Sequence, residues 1–409
     1  MTIARAAGPS GFSRLWLGQT VSLLGSQVTL VALPLTAVLT LHAGPTQMGA
    51  LRVASTLPFL LFGLLAGAWV DRRRRLTVLT MSSLGQALLL AVIPALAVTG
   101  GLRMELVYAI AFLVGILTVL FDVAYQAFLP SLVPSASLVD ANSRLETSRS
   151  LMQVIGPSVG GVLVQVLTAP FAILTDVASF LFAALTLRTI ADPEAAIPAP
   201  ERRSLLHEVW EGLSALLGHR VLRAVATTST LNNLTVAIAT PVIFLYMVRT
   251  LHLSPTLVGA ALAVNGLGGV AGAIAGAGAS RRLAMPVILA LGVFLGGAGT
   301  LLIASAFGSA PLIVTLLFAG EAALGFSLPF FNINGISLRQ SLTPARLQAR
   351  VHASSRTLTW AAVPVGAVVG GVLGEHIGLR PTLAVSGVST LCVALVAYVG
   401  VKMATRDAG

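Results

Sequence analysis

Among the ionisable side chains inside long apolar stretches of this sequence are Arg52, Asp122, Asp176, Glu321 and Arg356, the last nearer the end of its stretch, where a long side chain can reach the surface. A charge near the centre of a bilayer costs about 2.5–3.5 kcal/mol on insertion scales, so each of them needs a reason. Glu321 lies about ten residues into the stretch 311–337, which at the helical rise is about 15 Å, the depth of a bilayer midplane. No base stands near it in sequence. A carboxyl isolated there can take a proton from one side and release it to the other, so Glu321 is read as a proton-coupling residue; a neutral hydrogen-bonding role is the rival. Arg52 and Asp176 each lie about 10 Å inside the opposite surface by the same rise. They could pair, or Arg52 could meet an anionic substrate; Asp176 stands beside Glu321 as a second proton-coupling candidate. Asp122 lies deep in the stretch 105–129, level with the segment Gly67-Ala68-Trp69-Val70-Asp71-Arg72-Arg73-Arg74-Arg75. Gln19, Ser22, Asn232, Asn233, Asn265, Asn332 and Asn334 are further polar side chains in apolar surroundings. They are candidate substrate contacts, with bonding to a neighbouring helix as the alternative.

The elements that must position these groups are membrane helices. The 409 residues are 56% hydrophobic and 10% charged, with a mean hydropathy of +0.93, whereas an ordinary soluble domain is about 25% charged. No soluble core absorbs that much apolar surface. At about 20–25 residues per crossing, the length holds about twelve helices. They are read at 14–41, 47–70, 76–98, 105–129, 140–168 and 170–190, then 221–248, 255–280, 285–306, 311–337, 345–373 and 381–403. The first is expected to be a retained helix rather than a cleaved signal, because it is too long for one and leads into further spans. A Pro-rich polar linker, with Asp192, Pro193, Glu194, Pro198 and Pro200, divides the two sets of six. Within it, Ser204 to Leu217 reads as an amphipathic helix able to lie on a membrane surface. The expected organisation is therefore a six-helix bundle at 1–190, a linker at 191–220 and a second bundle at 221–409.

Charge sets the orientation. Of the 25 Lys and Arg, only Arg103, Arg249 and Arg380 fall in loops of one side, and Arg52 lies inside the second span. The rest flank the other side, which the positive-inside rule makes cytoplasmic, together with both termini and the linker. The net charge of +11 thus answers to anionic lipid and not to nucleic acid.

The halves repeat at a constant offset of 210 residues. Thr40-Leu41-His42-x-x-Pro45-Thr46-x-x-Gly49-Ala50 recurs as Thr250-Leu251-His252-x-x-Pro255-Thr256-x-x-Gly259-Ala260. Ser131-Leu132-x-Pro134 recurs as Ser341-Leu342-x-Pro344, and Gly160-Gly161-Val162-Leu163 as Gly370-Gly371-Val372-Leu373. Six spans per unit is an even number, so the two units run in the same direction, with a binding site expected near the midplane between them.

Gly67, Asp71, Arg72 and Arg75 resemble the loop motif between helices two and three of the major facilitator superfamily of transporters. Arg74 stands where that family usually has Gly, and Leu76 where it often has a base. Arg14-Leu15-Trp16-x-Gly18-Gln19-x-x-Ser22-x-x-Gly25 and Phe128-Leu129-Pro130-Ser131-Leu132-Val133-Pro134 are similar to the branch that includes macrolide-efflux and enterobactin-exporter proteins. Gly156-Pro157-x-x-Gly160-Gly161 in the fifth span is similar to the antiporter motif of exporters in the superfamily; a packing kink is the plainer account of it. The resemblance covers essentially the whole chain. It implies the family's all-α fold, two six-helix bundles of parallel repeat. It also implies a cavity lined by spans one, four, seven and ten, and a charge cluster in which Asp122 joins Asp71, Arg72 and Arg75 to hold the cytoplasmic side closed.

Catalysis has no visible support. Lys402 is the one lysine and no Gly-rich loop precedes it, so there is no phosphate-binding loop for a nucleoside triphosphate. The six His show no metal-ligand spacing, the lone Cys392 allows no intrachain disulfide or cysteine metal site, and no cofactor is expected. The reading is a proton-coupled exporter of drug-like or amphipathic small molecules, working by alternating access as a monomer. It would sit in a bacterial inner membrane, with protons, substrate and lipid as partners. The alternatives are uptake of a small metabolite, or a membrane sensor or assembly protein that transports nothing.

Overall fold

In hydrocarbon every backbone N–H and C=O must be satisfied within the chain, which leaves helices as the spanning element for a sequence of long apolar runs. The computed structural model describes residues 9–191 and 205–406, and its regular structure there is wholly helical. The helices are α1 (Pro9–Leu35), α2 (Pro45–Val70), α3 (Arg75–Thr99), α4 (Met104–Leu132), α5 (Leu138–Leu167) and α6 (Ala169–Arg188). Then follow α7 (Leu205–Gly218), α8 (Arg220–Leu245), α9 (Pro255–Ala279), α10 (Met285–Ala304), α11 (Ala310–Leu342), α12 (Gln348–His376) and α13 (Leu379–Arg406). Eleven of them are long and apolar enough to cross a membrane, and α2, with 26 residues, makes twelve. The short α7 is the linker helix. The polar linker residues before it, Asp192 to Ser204, lie outside the described residues.

The described residues pack as two units. One is drawn from Met1–Ala43, Ala54–Glu201 and Ser254–Ala263, the other from Gly44–Val53, Arg202–Leu253 and Val264–Gly409. In the first, α1 packs on α5 and α6, and α3 packs on α4 and α6. In the second, α8 packs on α12 and α13, and α10 packs on α11 and α13. Under the 210-residue offset these pairings are the same four, so duplication extends from sequence motif to packing. The first unit closes around Phe12, Leu79, Phe128 and Leu132, the second around Val225, Leu289, Val293 and Phe331. The linker helix belongs to the second unit. Leu216 is buried with Leu222 and Val351, Gly212 sits against the Arg350 carbonyl and Ser354, and Glu211 forms ion pairs with Arg346 and Arg350.

Local turns repeat as well. α1 ends in a wide π turn, Thr36–Thr40, and α8 in its equivalent, Tyr246–Thr250. After each comes a histidine in the left-handed region, His42 and His252, both at φ 52°. The loop after α5 departs from this agreement. Gly378 takes φ 89° after α12, but its equivalent after α5 is Thr168, at φ 71° and ψ 159°. That region is open essentially to glycine alone, and holding another residue there costs on the order of 1–3 kcal/mol. Thr168→Gly is therefore expected to raise the melting temperature of the detergent-solubilised protein. The net gain should be about 1 kcal/mol, after the added freedom of the unfolded chain is subtracted. An unchanged or lower melting temperature would show that Thr168 sits there without strain.

Candidate functional site

Among the described residues, each unit buries one carboxylate. In the first, Asp176 near the start of α6 is 1% exposed and is held by three hydroxyls. Thr29 Oγ1 donates to Oδ2 at 2.6 Å, while Ser179 and Ser26 donate to Oδ1 at 3.0 and 3.4 Å. Ser26 and Thr29 share a face of α1 at a spacing of three. Two glycines of α1 let α6 come this close: a methyl at Gly25 would overlap Ser179 and Asp176, and one at Gly18 would overlap Thr186. Arg52 is half-buried on α2, and the partners of Asp176 are hydroxyls.

In the second unit, Glu321 on α11 is also 1% exposed. Asn265 Nδ2, on α9, donates to Oε2 at 2.9 Å. Oε1 is buried with no hydrogen-bond partner among the described residues. Here too glycines set the approach. Gly268 meets the Ala322 carbonyl, Gly272 the Phe326 carbonyl and Gly325 the Asn265 carbonyl, so α9 and α11 touch backbone to backbone. Neither acid has a counterpart in the other unit. The equivalent of Asp176 is Ser386, which donates to the Thr235 carbonyl at 2.7 Å. The equivalents of Glu321 and Asn265 are Ala111 and Ser55.

The other candidate contacts fall in different surroundings. Ser22 and Asn232 are buried, and Asn232 Oδ1 has no hydrogen-bond partner among the described residues. Gln19 is half-buried and Asn332 exposed. Asn233 donates to the Ser229 carbonyl, and Asn334 to the carbonyls of Gly276 and Phe330, which ties both amides to helix backbone.

At the basic-loop end, Arg75 Nη1 donates to the Ala127 carbonyl of α4 at 3.1 Å, and Arg73 stacks over Trp69 at 5.6 Å. Asp71 is half-buried, whereas Arg72 and Asp122 are exposed. Asp122, Glu146 and Arg149 all lie within electrostatic reach of Tyr125, which stacks on Phe121. Tyr125 was not singled out from the sequence, although it stands three residues after Asp122 and so shares its face of α4. Among the described residues, no atom outside the helix's own backbone lies within 4 Å of where the Cβ of Gly67 would be. The fifth-span motif has a packing role on two sides. A methyl at Gly156 would overlap Gln27 of α1, and Gly160 sits against Val28 and Val31. Gly161 meets Pro255 and Gly259 at the start of α9, whose first turns belong to this unit. Pro157 contributes the carbonyl that faces Gly259.

The family model described as Major Facilitator Superfamily matches residues 15–362. The chain is 26% identical over 404 residues to the uncharacterized MFS-type transporter YfiS of Bacillus subtilis (96% of this chain, 94% of that protein). It is 28% identical over 383 residues to the multidrug efflux pump Tap of Mycolicibacterium fortuitum (91% of each). It is 24% identical over 397 residues to macrolide efflux protein A of Streptococcus pyogenes (94% of each). Among solved structures, a bacterial homologue of the iron transporter ferroportin in an inward-facing state shares the fold, with a TM-score of 0.73. That likeness spans 98% of this chain and 100% of that one at 18% identity.

The glycine contact beneath Asp176 has a measurable consequence. Gly25→Ala is expected to lower the amount of folded protein in the membrane, because its methyl would stand where Ser179 Oγ is. Combining it with Ser179→Gly should restore only part of that loss, because Asp176 Oδ1 still stands 2.6 Å from the added methyl and loses one hydroxyl donor. Normal levels of the single variant, measured by fluorescence-detected size exclusion, would show that α1 and α6 do not need this close approach.

Proposed function

The chain belongs to the Major Facilitator Superfamily, and from that premise we propose that it is a proton-coupled exporter of drug-like, amphipathic small molecules. It is a multi-pass membrane transporter and not an enzyme. The observation that carries the finer reading is Glu321, buried in α11 with one oxygen on Asn265 and the other without a donor. A carboxyl so placed can gain and lose a proton on its second oxygen while the Asn265 hydrogen bond persists. Efflux is named for two of the relatives, Tap and macrolide efflux protein A, and the fifth-span motif of exporters agrees with that direction.

In this reading the basic-loop end and both termini face the cytoplasm of a bacterial cell, in line with the positive-inside rule. Substrate and proton exchange by alternating access. Gln19, Ser22, Arg52, Asn232 and Asn332 contact substrate, and Asn265 positions the Glu321 carboxyl rather than the substrate. Asp176, held by hydroxyls, is the second protonation candidate. Gly67, Asp71, Arg72, Arg75 and Asp122 form the inner gate. A membrane potential supplies about 2.3 kcal/mol per charge per 100 mV, so one or two protons per cycle sustain a substantial gradient.

The test is accumulation of a panel of dyes and antibiotics, macrolides included, in a pump-deficient bacterium expressing this chain. Some compounds should accumulate less, and an uncoupler or Glu321→Gln should erase the difference. Full proton-driven efflux by Glu321→Gln would remove the coupling role. Unchanged accumulation of every compound, with the protein present in the membrane, would count against export and favour uptake. Separately, Asp71→Asn and Asp122→Asn should each slow transport severalfold at normal expression; two silent variants would dispose of the gate.

A further inference from the structure

The last turns of α11 and the first turns of α12, both in the second unit, border a pocket of about 230 Å³. That is room for about seven waters at about 30 Å³ each. The described residues that line it are Arg339, Gln340, Thr343, Gln348 and His352, all polar and none acidic. The same corner of the first unit is filled with core. At the 210-residue offset Arg339 corresponds to Leu129, Thr343 to Val133 and Gln348 to Leu138. Leu129 is buried there, with Val133 and Leu138 packed against the same cluster. The scaffold therefore allows an apolar corner, and the second unit has put a guanidinium, a hydroxyl and an amide in its place. Hydrogen bonds sort these groups into donors and acceptors. Arg339, half-buried, donates from Nη1 to Ser355 Oγ, a bond that uses one of its five N–H donors. Thr343 Oγ1 donates to the Arg339 carbonyl at 2.7 Å, so toward a ligand its oxygen accepts. Gln348 Nε2 donates to the carbonyls of Gln340 and Thr343 at 3.2 and 3.3 Å. That ties the turn between the helices and leaves the amide oxygen as a second acceptor. His352 stands within electrostatic reach of Arg339 and Arg356, so positive charge collects on this side. Glu211, the acid that α7 brings to this end, is engaged by Arg346 and Arg350.

We propose that this pocket binds inorganic phosphate, its charged oxygens on Arg339 and His352 and its P–OH on Thr343 and Gln348. A guanidinium suits phosphate oxygens through paired N–H donors. It is also a charge held partly out of water, where lack of compensation is costly. The acceptors narrow the choice of anion. Inorganic phosphate keeps a P–OH at neutral pH, whereas sulfate and a phospholipid diester have none, so their oxygens would face those of Thr343 and Gln348 with no proton between. The polar lining offers no wall for an acyl chain. The site involves neither buried acid and does not depend on what the protein transports.

Isothermal titration of the purified full chain with sodium phosphate, and with sodium sulfate at matched ionic strength, tests the assignment. Phosphate should bind, and sulfate about tenfold more weakly, the worth of a hydrogen bond to a charged group. Arg339→Leu, which installs the residue of the first unit, should weaken phosphate binding by about tenfold or more on the same grounds. His352→Asn likewise installs the first unit's residue, Asn142. It changes an exposed side chain, should stay folded, and should weaken binding severalfold; it carries the test where Arg339→Leu does not fold. Arg281→Gln with Arg282→Gln removes positive charge elsewhere at the same end and should leave binding unchanged. Full phosphate binding by either folded pocket variant would overturn the site, as would no binding by the wild type. Equal loss in the Arg281 and Arg282 variant would reduce the effect to unspecific attraction. Equal affinity for sulfate would remove the part given to Thr343 and Gln348. Displacement of bound phosphate by phosphatidylglycerol in nanodiscs would reassign the pocket to a lipid headgroup.

Discussion

A carboxyl group inside a membrane survives only if another helix brings a donor to it, and that requires backbones to approach more closely than ordinary side chains permit. Both buried acids meet this condition through glycine. α1 reaches Asp176 because Gly18 and Gly25 clear a path for Thr186 and Ser179. α9 reaches Glu321 because Gly268, Gly272 and Gly325 let two backbones touch. In lipid there is no hydrophobic drive between helices, so close van der Waals contact and interhelical hydrogen bonds must supply the association. The 40 glycines of the chain are in this sense part of its chemistry, since they determine which polar groups meet.

Duplication gave the two units one scaffold, and divergence then put different chemistry on it. The helix pairings, the π turns and the left-handed histidines agree between the halves. The polar groups do not. Asp176 corresponds to a serine that bonds a carbonyl, and Glu321 to an alanine. Scaffold features resist change because each is tied to several neighbours, whereas a single buried side chain can be exchanged if its partner changes too.

How much of this was legible in the sequence follows from the same distinction. Spans, the repeat and the basic loop are written in runs of residues, and the helices lie close to where hydropathy placed them. The depth of Glu321 follows from the rise per residue alone. Its partner does not, because pairing Asn265 with Glu321 depends on how α9 and α11 are rotated about their axes, a property of packing. The same holds for the hydroxyls around Asp176, although Gly25 beside Ser26, with Thr29 three residues on, was a usable signal. Tyr125 was overlooked because an aromatic in an apolar helix looks like core until the charges around it are placed. Gly67 runs the other way. Its place in a recognisable motif suggests a tight contact, yet among the described residues no other helix stands within 4 Å of its Cβ position.

Two structural reasons for a glycine can be separated at this position. A glycine needed for local backbone geometry would sit at positive φ, and Gly67 does not. A glycine required for packing would have a neighbour, as Gly156, Gly160 and Gly161 do. Gly67 has neither in this arrangement, although it stands one turn from Asp71, whose N–H donates to its carbonyl at 3.0 Å. A small residue with nothing beside it costs helix stability, by roughly 1 kcal/mol relative to alanine. Arg75 differs from Gly67 in having a fixed contact, its guanidinium donating to the Ala127 carbonyl of α4.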